Sequence, residues 1–536
     1  MTTLIICITA LALLCANLFF ELRRDLMMLQ QNSYRNERYR RWLSESADST
    51  SGWRLCGLIV FFITLTPFSP HSASAVLCGL FALGHTWTLA TRKYKKPLAV
   101  TKRVWRLTSV SAVLSLAVIS ACALIFGRNS AASAVYYSCV AALGCYCGSH
   151  LIVMLANTIL APVENAINRR FYNDAAKRLA AMPGLKVIGI TGSYGKTTTK
   201  HYLSRIMSEH YDTLMTPGSY NTTLGVVRTI REMLKPYHEV FIVEMGAKQP
   251  GDIREICDLV HPQAGIITAV GPQHLESFKT IERVQATKFE LADALPDDGL
   301  AVINNDFEKI ADRAVGNCRV LRYAVAKGNG NECADYIAEN ITYTPAGTTF
   351  DIRRTSDGHT LRLTTRLVGE CNISNLLGAV AMAQHFGVPD EKIRYAVEKI
   401  EQVEHRLNIK RTPGGITIID DAFNSNPVGS AMALDVLAAM RPGKRILITP
   451  GMIELGDRQY ELNEKFGRKA ASSCDVAIVV GQYNRNAIVE GLENGGMGKD
   501  SIHAVDTFNE AQAMLGRIAA AGDTVLYEND LPDTFR

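Results

Sequence analysis

Five apolar segments lie within the first 160 residues of this 536-residue chain. They carry so little charge that they predict about five helices in a membrane. The second segment is short and ends near Pro67 and Pro70, which favours a tight helical hairpin with the third over two independent spans. The segments fall at residues 3–20, 55–68, 73–89, 107–126 and 134–160. From about residue 180 the composition is that of an ordinary α/β protein, so the sequence predicts an α-helical membrane bundle followed by α/β domains.

The charges of the loops orient the predicted helices. Arginine and lysine are concentrated between the first and second segments and again between the third and fourth, whereas the other two turns hold only His71 and Arg128. Cytoplasmic loops are rich in Lys and Arg. We therefore expect a multi-pass protein of the cell membrane, surrounded by lipid, with its N-terminus outside and everything after residue 160 in the cytoplasm. A net charge of +5 is too small for this length to suggest nucleic acid as a partner.

Residues 161–183, which include Pro162, form an amphipathic stretch. Its apolar side chains, Ile167, Phe171 and Leu179, are spaced for one face of a helix. We interpret the stretch as a connecting helix, and the alternative is that it lies on the membrane surface.

A phosphate-binding loop is predicted at Leu185–Lys200, LKVIGITGSYGKTTTK. The pattern is that of a strand, a glycine turn and the start of a helix, where backbone N–H groups and the helix dipole bind phosphate. Lys196 would reach the terminal phosphates of ATP, and the Thr197 hydroxyl would hold Mg²⁺. The residues expected to bind the nucleotide here are Gly192, Ser193, Tyr194, Gly195, Lys196, Thr197 and Thr198.

The loop TGSYGKTTT resembles that of the Mur ligases, the ATP-dependent amide-forming enzymes of cell-wall precursor synthesis. Further segments similar to this family follow in order: SYNTTLG (219–225), EMGA (244–247), HLESF (274–278), ATKFE (286–290), CNISN (371–375), DDAFNSNP (420–427) and GMIELG (451–456). The resemblance covers roughly residues 184–536 and looks strongest to the D-alanyl-D-alanine-adding branch. Each segment alone has an ordinary structural explanation, such as turn formation for NSNP, and it is their order that favours the family.

The resemblance implies two α/β domains. The first, 184–405, is a central ATP-binding domain that carries the phosphate loop on a mainly parallel sheet. The second, 406–536, is a smaller Rossmann-like domain, with strands expected at Gly415–Asp420, Lys444–Thr449, Val476–Val480 and Thr524–Tyr527.

The resemblance also implies roles for single residues. The catalytic residues would be Lys196, Lys288, His274 and Arg406. Mg²⁺ would be held by Thr197, Glu244, His274 and Lys288, the lysine acting as a carbamate. Adenine, ribose and phosphate contacts would come from Asn372, Asn375, Asp421 and Arg406. The substrate would be contacted by Asn221, Asn424, Asn426 and Glu454.

In the mechanism that the resemblance implies, a carboxylate attacks the γ-phosphorus of ATP, and an amine then displaces phosphate from the acyl phosphate. Three features depart from the family pattern. Apolar segments replace the family's uridine-binding first domain, Cys371 stands where a histidine is common, and the C-terminal Lys-Gly-Ser run is Glu528-Asn529-Asp530. These departures affect the expected recognition of the two substrates, whereas the expected use of ATP is unchanged.

The leading hypothesis is a membrane-anchored ligase that joins an amino acid or dipeptide to a peptidoglycan-type or lipid-linked precursor. One alternative keeps the usual soluble substrate, with the uridine site supplied by an envelope-synthesis partner protein. Another is a synthase of an exported amino-acid polymer. A third, of a different class, is an ATP-driven transporter or scaffold, and the scarcity of charge within the predicted spans argues against transport.

Overall fold

The computed structural model describes residues 1–46, 48, 51–66, 70–94, 96–326, 333–344, 347–423, 425–440 and 442–530. These residues form two compact units. A helical unit runs from Met1 to Arg169, and an α/β unit runs from Arg170 to Asp530.

Seven helices begin in the helical unit: α1 Thr2–Gln31, α2 Asn36–Glu45, α3 Gly52–Thr64, α4 His71–Thr91, α5 Lys102–Phe126, α6 Ala131–Cys147 and α7 Ser149–Ala180. Among the described residues, four of them (α1, α4, α5 and α7) are long and apolar enough to cross a membrane, judged by length and composition only. The apolar helices α3 and α6 are shorter. The membrane bundle itself stays a prediction.

The helices differ from the predicted segments at two places. Instead of one helix over 134–160, α6 and α7 are separated at Gly148, whose φ of −101° and ψ of 17° leave the helical region. Instead of a separate connecting helix after Pro162, α7 continues to Ala180, since a proline removes only one hydrogen bond from a helix that is held elsewhere.

A buried ionic cluster lies inside the helical unit, because α1 continues to Gln31 and carries charged residues past its apolar segment. The Arg54 guanidinium of α3 donates to Glu21 Oε1 at 2.8 Å and to Asp25 Oδ1 at 3.2 Å. The Ser149 hydroxyl donates to Asp25 Oδ2 at 2.5 Å. Arg54, Glu21 and Asp25 are all at most 2% exposed. These charges lie just outside the predicted segments 3–20 and 55–68, so they do not contradict the scarcity of charge within the segments.

Two further polar contacts join helices of this unit. Near the end of α4, His85 Nδ1 lies 3.1 Å from Asn17 Nδ2 of α1. Near the start of α5, Arg106 Nε donates to Glu164 Oε1 of α7 at 2.6 Å. The Asn17–His85 contact joins α1 to α4, and the ionic cluster joins α1 to the start of α3. The Arg106–Glu164 ion pair joins α5 to α7. Buried polar groups are rarely left without partners, so the contacts set the order in which the helices pack.

The α/β unit contains a nine-stranded sheet, of order β2-β3-β1-β4-β5-β6-β7-β8-β9. Its strands are β1 Lys186–Thr191, β2 Thr213–Met215, β3 Val240–Glu244, β4 Ala264–Ile267, β5 Leu300–Asn304, β6 Arg319–Val325, β7 Tyr336–Thr344, β8 Gly347–Arg354 and β9 Thr360–Thr365. Neighbouring strands are parallel from β2 to β7, while β8 and β9 are added antiparallel. The predicted mainly parallel sheet is confirmed.

Helices surround this sheet, which explains why β3 and β4 are buried along their whole length and, apart from Glu244 at the end of β3, apolar. The helices are α8 Lys196–Met207, α9 Thr223–Glu232, α10 Asp252–Val260, α11 Leu275–Phe278, α12 Ile281–Asp293, α13 Glu308–Ala311, α14 Glu370–His385 and α15 Asp390–Lys399. The end of α7 belongs to the same core, where Ala175 is buried and Phe171 and Leu179 pack beside it.

A second sheet has the order β10-β11-β15-β12-β13-β14, with only β10 antiparallel to its neighbour. Its strands are β10 Asn408–Arg411, β11 Thr417–Asp421, β12 Arg445–Thr449, β13 Val476–Val480, β14 Ile502–Val505 and β15 Thr524–Glu528. Four helices alternate with them: α16 Pro427–Ala439, α17 Gln459–Ser473, α18 Arg485–Asn494 and α19 Phe508–Ile518. The four strands predicted for this domain are confirmed to within two residues, and β10 and β14 are additional.

The ionic cluster predicts a large effect of replacing Arg54. In Arg54→Met, Glu21 and Asp25 lose their shared guanidinium, and an uncompensated buried charge costs about 3–5 kcal/mol. We expect the full-length protein in detergent to unfold at a clearly lower temperature. The control is Arg23→Met, because Arg23 is exposed on α1, the helix that carries Glu21 and Asp25, and its loss should change stability by less than about 0.5 kcal/mol. Equal unfolding temperatures for the two variants would contradict this role.

Candidate active site

The phosphate loop connects β1 to α8 in a conformation that requires glycine. Gly195 caps α8 with φ of 76°, in the left-handed region, and a Cβ there would collide with Asn375 Oδ1. Gly192 is equally confined, because a Cβ would collide with the Thr268 hydroxyl. The loop is therefore shaped by close backbone approach, which leaves N–H groups at the start of α8 free to face an anion.

The rest of the loop is anchored on the segment after β4. Ser193 N–H donates to Ala269 O at 2.7 Å, and the Ser193 hydroxyl donates to Gly271 O at 3.1 Å. The Tyr194 hydroxyl donates to Pro272 O at 3.2 Å. These bonds hold the loop in place without any ligand.

Lys196 is half-buried and folds back over the loop. Its Nζ donates to Gly192 O at 2.7 Å and to Ser193 O at 3.2 Å. Desolvation lowers the pKa of Lys196 to about 8, although Glu244 acts in the opposite direction. Thr198, also predicted to bind the nucleotide, is buried in α8.

A buried carboxylate lies beside the loop at the end of β3. Glu244 is 1% exposed, and its Oε1 accepts hydrogen bonds from the Thr197 hydroxyl at 3.1 Å and from Asn221 Nδ2 at 3.0 Å. Its Oε2 lies 3.0 Å from Lys200 Nζ. Burial alone would raise the pKa of Glu244, but the charges of Lys200 and Lys196 lower it below its ordinary value. The carboxylate is thus kept ionised.

Sequence reasoning missed Lys200. A lysine in a helix is normally solvated, and the only signal was its place on the same helix face as Leu203 and Met207, which are buried. Its side chain is fully buried in the structure.

His274 and Glu454 are brought together from the two α/β domains. His274 Nδ1 hydrogen-bonds to Glu454 Oε2, and Glu276 N–H lies 3.4 Å from Glu454 O. Both His274 and Glu454 have positive φ, 51° and 61°, a strained conformation that is often found at functional sites. Desolvation lowers the pKa of His274 despite the neighbouring carboxylate.

Lys288 of α12 is 1% exposed. The centre of the Phe278 ring is 5.9 Å from its Nζ, and no carboxylate of the described residues forms an ion pair with it. Burial and then the charge of Lys196 lower the pKa of Lys288 to about 7. A large fraction of this amine is therefore neutral near pH 7.

The two asparagines of α14 occupy different surroundings. Asn375 Oδ1 accepts from the Thr199 hydroxyl at 3.2 Å and so lies against the start of α8. Asn372 is buried between helices, where its Oδ1 accepts from the Tyr202 hydroxyl and its Nδ2 donates to Val368 O, both at 2.8 Å. The structure therefore places Asn375 at the phosphate loop and gives Asn372 protein partners.

Several predicted residues of the C-terminal domain cluster near the end of β11. The Arg406 guanidinium lies over the Phe423 ring at 4.6 Å, and Asp421 Oδ1 accepts from Leu407 N–H at 3.1 Å. Asn426 caps α16 by accepting from Gly429 N–H at 2.8 Å. Asn424 lies outside the described residues.

Glu528 stands beside Asp421 in the paired strands β11 and β15. It is 1% exposed, and the Ser425 hydroxyl donates to its Oε1 at 2.6 Å. Burial, and then the neighbouring carboxylate of Asp421, raise the pKa of Glu528. Burial likewise raises the pKa of Asp421. The two carboxyl groups therefore tend to share a proton.

The metal ligands implied by the resemblance are only partly assembled. Within the described part of the chain, no three His, Cys, Asp or Glu side chains are grouped closely enough to hold a metal ion. The Thr197 hydroxyl and the Glu244 carboxylate nevertheless provide two oxygen ligands at one point beside the phosphate loop. Mg²⁺ usually takes one or two protein ligands plus water and phosphate oxygens, so this pair fits it.

Comparison with known proteins agrees with this geometry. The Mur ligase middle domain matches residues 190–383, and the Mur ligase glutamate ligase domain matches 405–527. A UDP-N-acetylmuramoyl-tripeptide–D-alanyl-D-alanine ligase of Mycobacterium bovis is 30% identical over 368 residues, 64% of this chain and 70% of the relative.

Solved structures of the same kind are similar. MurF from Acinetobacter baumannii superposes with a TM-score of 0.61 and 26% identity, over 68% of this chain and 78% of that one. The MurF ligase of Thermotoga maritima in complex with ADP has a TM-score of 0.59 and 24% identity, over 68% and 80%. The chain belongs to the Mur ligase family, and it is accordingly an ATP-dependent ligase.

The carboxyl pair predicts a pH-dependent stability. The folded-state pKa of Glu528 is raised, so the folded state binds this proton more tightly than the unfolded state, and stability falls as pH rises above the unfolded pKa. Gln stays neutral, so Glu528→Gln should be more stable than the wild type at pH 8 by on the order of 1 kcal/mol.

The difference should shrink towards pH 5, where the wild-type carboxyl is protonated, and unfolding temperatures at several pH values measure it. Glu493→Gln, an exposed site in the same domain, is the control. A Glu528→Gln variant less stable than the wild type at pH 8 would refute the shared proton.

Proposed function

We propose that this protein is a membrane-anchored ligase that uses ATP to form an amide bond on a precursor of the cell wall. The observation that carries the proposal is the corner where Lys196, Thr197 and Glu244 meet in a Mur ligase fold. The relative from M. bovis is named for adding D-alanyl-D-alanine to a UDP-N-acetylmuramoyl-tripeptide. We infer the same reaction type here, with a peptide or amino acid as the amine.

The reaction proceeds in two displacements. A substrate carboxylate oxygen attacks the γ-phosphorus of ATP, and ADP leaves. The amine then attacks the acyl carbon, and inorganic phosphate leaves with formation of the amide. The first step brings two anions together, so it needs concentrated positive charge. Lys196 and Arg406 supply that charge from the chain, and the ADP complex of the T. maritima protein supports a nucleotide in this fold.

Mg²⁺ would be held by Thr197 and Glu244, where it would neutralise charge that develops on the phosphates. Lys288 is suited to carbamylation, because CO₂ reacts with a neutral amine and the pKa of Lys288 is lowered to about 7. A carbamate would convert this lysine from a cation to an anion. With His274, it would then provide the ligands for a second ion that the resemblance implies.

Membrane anchoring is supported by large apolar side chains that the helical unit exposes beside its own buried core. They include Phe62 at 63% exposed, Trp87 at 73% and Leu124 at 73%. A protein surrounded by water would bury the apolar groups. Lipid is the solvent that favours this arrangement.

The proposed orientation places the N-terminus outside and the α/β unit in the cytoplasm. The polar contacts involve the end of α1, the start of α3 and the end of α4, and these are ends that the distribution of basic loop residues assigns to one side. ATP is available on that side.

We further propose that the carboxyl substrate is recognised at or near the bilayer, as a lipid-linked precursor. The chain has apolar helices where the family has its uridine-binding domain, and basic residues in the cytoplasmic loops would attract a diphosphate headgroup, each contributing about 1 kcal/mol near the surface. The alternative is a soluble nucleotide-linked precursor.

A transporter is the second candidate, because buried charges in apolar helices can mark a transport path. The charges of the ionic cluster are, however, paired with one another, as expected for a structural role. Release of phosphate that depends on an amine acceptor distinguishes a ligase from a transporter, and a synthase of an exported polymer would show multiple additions by mass spectrometry of the product.

The ligase proposal predicts loss of activity on replacing the two site lysines. Lys196→Ala removes the cation that faces the phosphates, and Lys288→Ala removes the carbamylated amine. We expect each variant to lose amine-dependent phosphate release by at least about 10²-fold, while Lys235→Ala, at an exposed lysine, keeps it. Bicarbonate or short carboxylates should partly restore Lys288→Ala. Full activity in Lys196→Ala would overturn the nucleotide site.

The lipid-substrate proposal predicts that the α/β unit alone is a poor ligase. A fragment of residues 170–536 keeps the end of α7, whose Ala175 belongs to the core. We expect it to release phosphate much more slowly than the full-length protein when a lipid-linked precursor is supplied in vesicles. If the fragment instead ligates a soluble nucleotide-linked precursor as fast as the full-length protein does, the substrate is soluble.

A further inference from the structure

Lys200 is one of the largest fully buried side chains among the described residues. It lies on α8, one helical turn after Lys196, and its side chain is 0% exposed. An ionised lysine is almost never buried without a partner, because removal of the ammonium from water is costly. The contacts of Lys200 therefore have to compensate for this cost.

These contacts join three parts of the site. Lys200 Nζ lies 3.0 Å from Glu244 Oε2 at the end of β3 and donates to Gly218 O at 2.5 Å. Gly218 belongs to the 217–222 loop, which also carries Asn221, and Asn221 Nδ2 reaches the other oxygen of the same carboxylate at 3.0 Å. One ammonium therefore connects the phosphate helix, the candidate metal ligand and the candidate substrate loop.

The 217–222 loop is held at few other points. Residues 218–220 are exposed, and Gly218 has φ of 49°. Gly246 N–H donates to Asn221 O at 2.7 Å, and the Arg228 guanidinium donates to the Tyr220 hydroxyl at 3.0 Å. Loss of the bond from Lys200 to Gly218 O would leave the exposed part of the loop attached through Tyr220 and Asn221.

We propose that Lys200 is a positioning residue of the ligase site, which fixes the Glu244 carboxylate and the 217–222 loop relative to the helix that binds the nucleotide. The proposal rests on the proposed function for the identity of the site. We assign Lys200 no catalytic role, because its Nζ is engaged by Glu244 and Gly218 O and because Lys196, one turn earlier, already faces the phosphate loop.

The pairing has a consequence for metal binding. In the absence of a metal ion, Lys200 is the cation in direct contact with the buried Glu244 carboxylate. If a neutral side chain replaces Lys200, a divalent cation at Glu244 becomes the main compensation for that charge. The stability of such a variant should then depend on Mg²⁺ more than the stability of the wild type does, because a ligand stabilises the state that binds it.

The test uses full-length Lys200→Met, in which methionine keeps much of the volume but not the charge. Unfolding temperatures are measured without metal and with MgCl₂ alone, and hydrogen exchange is followed at residues 218–221. We expect a lower unfolding temperature without metal, an increase with MgCl₂ at least twice that of the wild type, and faster exchange in the loop. Lys186→Met is the control, since Lys186 packs on Tyr211 at 4.1 Å outside the site.

A purely structural lysine would lower the unfolding temperature without changing the response to MgCl₂ or the exchange of the loop. That result would overturn the proposal. Lys200→Arg, which keeps the charge, should restore the wild-type response to MgCl₂, and failure to restore it would also count against the proposal.

These measurements need no substrate, so they are independent of the ligase assay. An altered MgCl₂ response together with absent ligation would leave the role of Lys200 intact and reject the proposed function. Where ligation is detected, Lys200→Met should raise the KM for the carboxyl substrate several-fold more than the KM for ATP, because the substitution displaces the 217–222 loop and not the phosphate loop. An equal rise in both would contradict positioning of the loop.

Discussion

The candidate active site depends on one buried carboxylate, that of Glu244. A carboxylate removed from water at the end of a central strand is unstable unless charges and donors surround it. Lys200 supplies the charge, while Thr197 and Asn221 supply the donors. These partners come from the phosphate helix α8 and from the 217–222 loop, which follows β2. The contacts that stabilise the Glu244 carboxylate therefore also assemble the site. The same oxygens are those that suit Mg²⁺ beside a nucleotide.

The helical unit, for which we propose a lipid environment, also buries charged groups. Glu21, Asp25 and Arg54 compensate one another inside it. An unpaired polar group inside a membrane bundle would have no water to bind, so the proposed environment would favour this pairing. The ionic cluster connects α1 to α3, and Ser149, next to the break at Gly148, adds a hydroxyl to it.

The C-terminal domain departs from the family pattern in its last strand. The Lys-Gly-Ser run of the family is here Glu528-Asn529-Asp530, and Glu528 is buried beside Asp421 rather than directed to solvent. A carboxyl pair that shares a proton offers neither the charge nor the reach of a lysine. The Asn529 amide instead donates to Gly451 O at 2.5 Å, which ties the end of β15 to the loop that carries Glu454. The changed run therefore contributes to the structure of the C-terminal domain.

Local patterns in the sequence were sufficient for the phosphate loop, for four strands of the C-terminal domain and for the positions of the apolar segments, but not for β10, β14 or the break at Gly148. Gly192 and Gly195 are required by close backbone contacts that the glycine pattern already indicates, and a parallel sheet follows from apolar runs alternating with helices. Other features depend on neighbours in space. The burial of Lys200, the pairing of His274 with Glu454 and the ionic cluster around Arg54 join residues from different elements, and nothing next to them in the chain reveals the partner. The hydrogen bond from the Tyr202 hydroxyl to Asn372 Oδ1 also joins residues far apart in the chain, and the predicted adenine contact of Asn372 stays a prediction. The sequence by itself determined those elements for which backbone conformation and hydrophobic period allow a single structure. Only the tertiary structure decided which charged groups are buried and paired, because the energy of a charge depends on what surrounds it in three dimensions.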